Sequence, residues 1–283
     1  MELRWGERTW VMGVINVTPD SFSGDGIAPA GRSEAEVVAA ALAQAEAFVS
    51  AGAQILDVGA ESSRPAQFYG EHAGVSAEDE AAVAIPVVVA LSRAHVGRAF
   101  VSIDTTKGSV ARQALAAGAT IVNDVWAGRR DPDTAAAAAE AGAHMVLVHN
   151  RKVAEYPGGL FDEVVAWLSA AVEGAIGAGV PRDRLIVDPG IGFGKTPAHS
   201  IELLHRLGEL KAALGGLPLL VGTSRKRVIG ELLGGAPPDQ RLEGTAASVA
   251  LAIAAGADIV LVHDVASIVR TVRVADGIVR WHA

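Results

Sequence analysis

The chain has 283 residues, half of them hydrophobic and 20% charged, with 24 basic side chains against 32 acidic ones and no cysteine. A chain of this length buries a sizeable core, and without thiols it cannot carry disulfides, thiolate metal sites, Fe–S clusters or a cysteine nucleophile. The formal charge of −8, with no dense Lys/Arg run, argues against a general nucleic-acid binder, and no apolar stretch of membrane-spanning length is free of polar interruption. The N-terminus, Met1 to Arg8, offers no apolar signal-peptide core, so cytoplasmic is the expected location. Then come short runs rich in Val, Ile and Leu, at Val11 to Ile15, Ile55 to Val58, Phe100 to Ile103, Thr120 to Val122, Met145 to Val148, Leu185 to Val187, Leu219 to Val221 and Ile259 to Val262. Their hydrophobicity is continuous rather than alternating, which predicts strands buried on both faces of a parallel sheet.

The stretches between these runs are alanine-rich and helical in character. Ser33-Glu34-Ala35-Glu36 is a capping-box pattern, after which Val37, Val38, Ala41, Leu42, Ala45, Phe48 and Val49 repeat at helical spacing up to Gly52. An Ala-Gly-Ala stop recurs around Gly52, Gly118, Gly142 and Gly256, each leading straight into a strand, as a glycine in the left-handed cap position would. Eight strand–helix units fill the chain and predict a (β/α)8 TIM barrel forming one domain over residues 1–283. An open doubly wound sheet is the competing arrangement. Its dinucleotide form needs G-x-G-x-x-G between the first strand and helix, and Val11 to Asp20 lacks it.

In such a barrel the active site lies where the strands end, so the residues closing each apolar run are the informative ones. They are Asn16, Asp57 with Glu61, Asp104, Asn123 with Asp124, His149 with Asn150, Asp188, Thr223 to Lys226, and His263 with Asp264. Any one of these can simply cap the next helix; a whole ring of them points to a ligand site. Asp104, Asn123 and Asp188 suit the floor under a flat, hydrogen-bond-rich heterocycle such as a pterin or purine, with Lys226 adding a donor and positive charge. Asn16 and Asp20 are hard oxygen donors of the kind Mg²⁺ shares with a substrate phosphate. Gly190 to Thr196 resembles a phosphate loop but has Pro189 where a Walker loop needs glycine. Its glycines are expected to turn the backbone sharply, with Phe193 as an apolar wall. His149 reads as structural. His263, near Ser224, Arg225 and Lys226, reads as part of an anion pocket. His72, His95, His144, His199, His205 and His282 are expected on helical or surface segments, with no zinc-ligand spacing.

These segments together resemble the dihydropteroate synthase family. Asn16 to Ser23, Asp57 to Pro65, Ser102 to Thr105, Asn123 to Val125, Asp188 to Lys195, Gly222 to Lys226 and Arg241 to Thr245 follow the family's signatures in order over nearly the whole chain. The resemblance implies a transferase joining p-aminobenzoate to 6-hydroxymethyl-7,8-dihydropterin diphosphate, giving 7,8-dihydropteroate and diphosphate in folate biosynthesis. It implies that Asp104, Asn123, Asp188 and Lys226 hold the pterin and that Asn16 is the Mg²⁺ ligand. It further implies that His263 meets the anion, that Ser63, Arg64 and Pro65 with Phe22 and Ser224 shape the p-aminobenzoate site, and that Lys226, Asp104 and Arg64 are the catalytic set. A homodimer is the family expectation. The sequence departs from the family at Leu261, where arginine is usual, at Ser63 for threonine, at Ala60 for glycine and at Val148-His149-Asn150. Leu261 keeps open a second reading, a pterin-binding paralogue with another amine acceptor or no synthase activity. A third reading, methyl transfer from a folate to a corrinoid, shares the pterin floor but does not account for the Ser-Ser-Arg-Pro and Asn16 loops together.

Overall fold

The computed structural model describes residues 2–18, 26–27, 31–61 and 74–281. Asp20, Phe22, Ser63, Arg64, Pro65, His72 and His282 lie outside the described residues. Eight parallel strands follow one another around a barrel: β1 (Trp10–Asn16), β2 (Ile55–Gly59), β3 (Phe100–Asp104), β4 (Ile121–Asp124), β5 (His144–Val148), β6 (Leu185–Asp188), β7 (Leu220–Val221) and β8 (Ile259–Val262). They pair in sequence order, β1 also pairs with β8, and a parallel bridge between Val187 and Leu219 closes the ring from β6 to β7. All eight expected runs are strands, in the predicted (β/α)8 arrangement.

Each crossover returns through at least one helix. Those described are α1 (Glu34–Ala51), α2 (Ala77–Ala94), α3 (Gly108–Ala116), α4 (Asp133–Ala141), α5 (Leu160–Gly177), α6 (Pro197–His205), α7 (Leu207–Ala213), α8 (Arg227–Leu232), α9 (Leu242–Ala254) and α10 (Val265–Val279). The capping box at Ser33 and Glu36 forms as the sequence predicts, and Gly52 ends α1 at φ 114°. Gly118, Gly142 and Gly256 also have positive φ, so the repeated Ala-Gly-Ala stop has one backbone cause.

Strand alternation divides the core into two layers. Ile15, Leu56, Val58, Val101, Ile103 and Val122 face the helices. Trp10, Met12, Ile55, Ile121, Val146, Ile186, Leu220 and Ile259 fill the barrel interior, with Phe193 and Leu261 packed against them. The interior is therefore packed mainly by apolar side chains below and turns polar toward the C-terminal mouth. His144, expected on a helix or the surface, instead opens β5, its ring edge-on to Trp5; His95 is buried at the end of α2. The physical reason is that His144 falls on the inward parity of a strand, which spacing between histidines does not reveal. No described helix is long and apolar enough to cross a membrane.

Candidate active site

Strand register places the polar ends at one level. Asn16 pairs with Gly59, Gly59 with Asp104, and Asp104 with Asn123, so the side chains of Asn16, Asp104 and Asn123 share the inward face at one level, with Gly59 leaving room on β2. Asp57 sits one inward position lower on β2, and its Oδ2 accepts from Asn123 Nδ2 at 3.0 Å. That bond orients the carboxamide and leaves Asn123 Oδ1 buried with no partner among the described residues. A buried acceptor of this kind is satisfied by water or by a ligand's N–H.

The carboxylates at the mouth are electrostatically uneven. Burial pushes Asp57 up to about 6, partly offset by the nearby Ser102 hydroxyl and the hydrogen bond from Asn123. Asp104 is raised well above the usual carboxylate range by burial and then by repulsion from Asp57, Glu80, Asp124 and Glu61. Asp188 is raised by burial, while the Lys226 ammonium opposes the shift. Asp124 serves the backbone instead, accepting from the N–H groups of Trp126 and Gly128 and from Thr134 Oγ1, each at 2.8 Å. It organises the β4 loop, which is the capping role open to any of these residues.

The glycine segment after β6 is a turn, not a phosphate loop. Gly190, Gly192 and Gly194 have φ of 67°, 86° and 54°. A Cβ on Gly190 would lie 1.8 Å from the His149 carbonyl oxygen, and one on Gly194 would lie 2.2 Å from that of Arg151. Only glycine permits so close an approach between the β5 and β6 ends. Asp188 Oδ1 accepts the Gly190 N–H at 2.6 Å, and Lys226 Nζ donates to the Ile191 carbonyl at 2.6 Å while standing 4.8 Å over the Phe193 ring. Asp188, Phe193 and Lys226, three of the expected site residues, thus stand around one turn. Burial lowers the Lys226 ammonium from its usual range, opposed by Asp188.

Two groups in this region were not foreseen from the sequence. Lys195 is only 2% exposed, and its Nζ lies 2.7 Å from His149 Nδ1 and 3.0 Å from the Phe193 carbonyl oxygen. His149 is structural as expected, and burial pushes its imidazole down to about 2. On the opposite side of the mouth, Lys107 Nζ donates to Glu61 Oε2 at 2.6 Å and also bonds buried Glu80; Glu61 Oε1 accepts the Val75 N–H. A lysine inside an ordinary helix-start sequence gives no sign of this pairing.

At the β7 and β8 ends, Ser224 Oγ accepts the His263 N–H at 3.1 Å and lies 3.0 Å from His263 Nδ1. These two predicted residues are therefore one unit. Arg225, expected to add a cation to the anion pocket, instead donates twice to Asp264, from Nε at 2.9 Å and Nη2 at 2.6 Å. Its φ of 57° is left-handed, and its N–H and C=O are fixed by Thr245 and Arg241. Leu261 packs at the upper edge of the barrel core, its side chain near Gly222, which also neighbours Lys226 Nζ.

A sequence profile described as pterin binding enzyme matches residues 12–263. The chain is similar to a dihydropteroate synthase of Synechocystis, 42% identical over 98% of this chain and 92% of that protein. It is also similar to the crystal structure of a dihydropteroate synthase from Clostridium difficile in the presence of pteroic acid, with TM-score 0.89, 38% identity, and coverage of 99% of this chain and 100% of that one. The enzyme of Xanthomonas albilineans in complex with 7,8-dihydropteroate superposes with TM-score 0.83 at 36% identity, covering 98% of this chain and 95% of that one.

Proposed function

From the premise that the chain belongs to the pterin-binding family of dihydropteroate synthases, we propose how its own residues perform the transfer from a pterin diphosphate to p-aminobenzoate. The chain is a transferase of that family, and its relatives favour the synthase over a pterin-binding paralogue. One observation carries the residue assignment: Asp188, Asn123 and Asp104 present acceptors and a carboxamide around a mouth that Lys226 and Phe193 close on one side. A pterin's amino and ring N–H groups match the carboxylates and Asn123 Oδ1, and its carbonyl and ring nitrogens match Lys226. Asn123 Oδ1, buried and unsatisfied among the described residues, then gains its partner.

The reaction breaks the bond from the pterin's exocyclic carbon to the diphosphate oxygen, and the electron pair leaves on that oxygen. The aniline lone pair forms the new C–N bond, and the surplus N–H proton passes to solvent. This chain's part is to position the two reactants and to hold the departing anion. Ser224 and His263 supply donors at the β7–β8 end, where Leu261 offers no charge. Arg64 and Ser63 are assigned to the p-aminobenzoate side on the family resemblance.

Mg²⁺ suits Asn16 as a shared ligand. Asn16 ends β1 on the inward face, and among the described residues no three His, Asp or Glu side chains are grouped to hold a metal. A single carboxamide oxygen is too little for a protein cage but enough for an ion that takes its remaining ligands from diphosphate and water. When bound, the ion would neutralise charge on the leaving diphosphate.

A homodimer through α9 and α10 is part of the same proposal. Leu251, Val274, Ile278 and Trp281 are 71%, 64%, 72% and 75% exposed; Val274 and Ile278 stand at i and i+4 on α10, and Trp281 follows just beyond its end. Exposed apolar side chains at that spacing suit a self-complementary interface. The proposal also places the enzyme in the cytoplasm.

The direct test mixes the purified protein with p-aminobenzoate, the pterin diphosphate and Mg²⁺ and follows both products. Dihydropteroate and diphosphate formed in equal amounts support the reading. Tight pterin binding without any product overturns it.

A further inference from the structure

A lysine buried this completely needs a reason, because removing an ammonium or amine from water is strongly unfavourable unless its hydrogens find partners. Lys195 immediately follows the glycine turn, and its Nζ reaches two acceptors belonging to different parts of the barrel. One is the Phe193 carbonyl, inside the turn. The other is His149 Nδ1, just beyond β5, whose ring lies 4.8 Å from that of Trp167 on α5. A neutral imidazole accepting at Nδ1 carries its proton on Nε2, and that nitrogen is buried without a partner among the described residues. The contact holds the ring in position against the end of β5.

Around this contact the turn is held from both sides. Lys226 binds the Ile191 carbonyl from the mouth, and Lys195 binds the Phe193 carbonyl from behind. Tyr156 Oη adds a donor to the Gly194 carbonyl at 2.8 Å. Beside the turn at the mouth stand Asp188, the last residue of β6, bonded to the Gly190 N–H, and Phe193, lying under Lys226. Lys195 and His149 are both buried behind the turn.

We infer that Lys195, through His149, is a positioning residue for the pterin-holding half of the site: it ties the glycine turn to the end of β5 and so sets where Phe193 and Asp188 stand. The inference rests on the reading that Asp188, Phe193 and Lys226 hold the pterin. It gives the glycine-lysine motif a role that a phosphate loop does not explain. It also accounts for a buried histidine and a buried lysine side by side, since an apolar pair could fill the space but could not grip a carbonyl.

The test is a set of variants in the full chain: Lys195→Met, His149→Leu, His149→Gln, the Lys195→Met/His149→Leu double variant, and Asp188→Ala as a reference. Each is assayed by calorimetric binding of the pterin diphosphate and by KM for both substrates, with melting temperature recorded. Loss of a buried lysine hydrogen bond is expected to raise the KM for pterin diphosphate about tenfold in Lys195→Met while the KM for p-aminobenzoate stays within about twofold. His149→Leu should reproduce that split, and His149→Gln, which keeps an acceptor, should restore pterin affinity. The double variant should bind no more weakly than Lys195→Met alone, because one contact is removed twice. Unchanged pterin binding in Lys195→Met overturns the inference. So does a parallel rise in both KM values, which marks a general loss of structure. If Lys195→Met does not fold, the His149 pair still decides: equal behaviour of the Leu and Gln variants overturns it. Intact pterin binding in Asp188→Ala brings down the site assignment itself, whereas loss there with no effect at Lys195 removes only the positioning role.

Discussion

Asp188 has one carboxylate oxygen bonded to the Gly190 N–H at 2.6 Å, which holds the group in one orientation at the mouth. Asp188→Ala removes that anchor and the carboxylate that opposes the burial of Lys226. It is expected to abolish pterin binding in calorimetry, and full binding would refute the assignment. Leu261 makes the opposite experiment possible, because it adds a group rather than deleting one. Its side chain lies near Gly222 and Lys226, and the guanidinium of Arg225 is already held by Asp264. Leu261→Arg supplies a charge-assisted donor worth about 1.5–3 kcal/mol, or roughly 10- to 150-fold in affinity. The KM for the pterin diphosphate should fall, and the effect should vanish for a pterin without the diphosphate. No change, or weaker binding, would show that Ser224 and His263 meet the anion without a neighbouring guanidinium.

At the scale of elements, the glycine turn makes unequal demands on its residues. Gly190 combines φ 67° with a Cβ position 1.8 Å from the His149 carbonyl, whereas the nearest atom to a Cβ on Gly192, φ 86°, is Lys226 Cδ at 3.5 Å. Gly190→Ala should therefore lower the melting temperature and weaken pterin binding severely. Gly192→Ala should incur only the backbone strain of about 1–2 kcal/mol. Equal effects would refute this geometry. The contrast also shows what a sequence reveals. The strands were legible because burial on both faces makes runs such as Ile55 to Val58 and Ile259 to Val262 uniformly apolar, and Asp104, Asn123 and Asp188 were legible because they end such runs. Lys195, the Arg225–Asp264 pair and the Glu61–Lys107–Glu80 group were not, because each depends on a partner brought near by the closing of the barrel. Local pattern says which residues end a strand; it does not say which side chain 46 residues away will accept a hydrogen bond, as His149 does from Lys195.

For the whole molecule, the buried acid at the barrel mouth couples stability to pH. The folded chain holds the Asp57 proton up to about 6, while an unfolded chain releases it near 3.8. Stability from this group is therefore fully present below about 3.8 and declines as pH rises through about 6. His144 and His149, pushed down to about 4 and about 2 from 6.5, act the other way, because the unfolded chain takes up protons that the folded one refuses as pH falls below 6.5. Comparing wild type with Asp57→Asn isolates the first effect: the melting temperature of the variant should gain on that of wild type as pH rises from about 4 to about 7. A constant difference would refute it. Ile278→Glu addresses assembly in the same way. Sedimentation should show that a charge on the exposed α10 stripe yields monomers, and an unchanged dimer would move the interface elsewhere.

The Val187–Leu219 bridge has a consequence for how the closed ring behaves. β7 has two residues, and this seam is joined by that bridge together with the Val187 N–H bond to the Pro218 carbonyl at 2.9 Å. A cask opens at its loosest stave, and here the loose joint runs between the strand that carries Asp188 and the one that leads to Lys226. On the proposed site assignment, a ring compound held by both residues would lie across that joint like a hoop. Amide hydrogens of β6 and β7 should exchange with solvent sooner than those of β2 and β3 in the free enzyme, and slow most when the pterin is added.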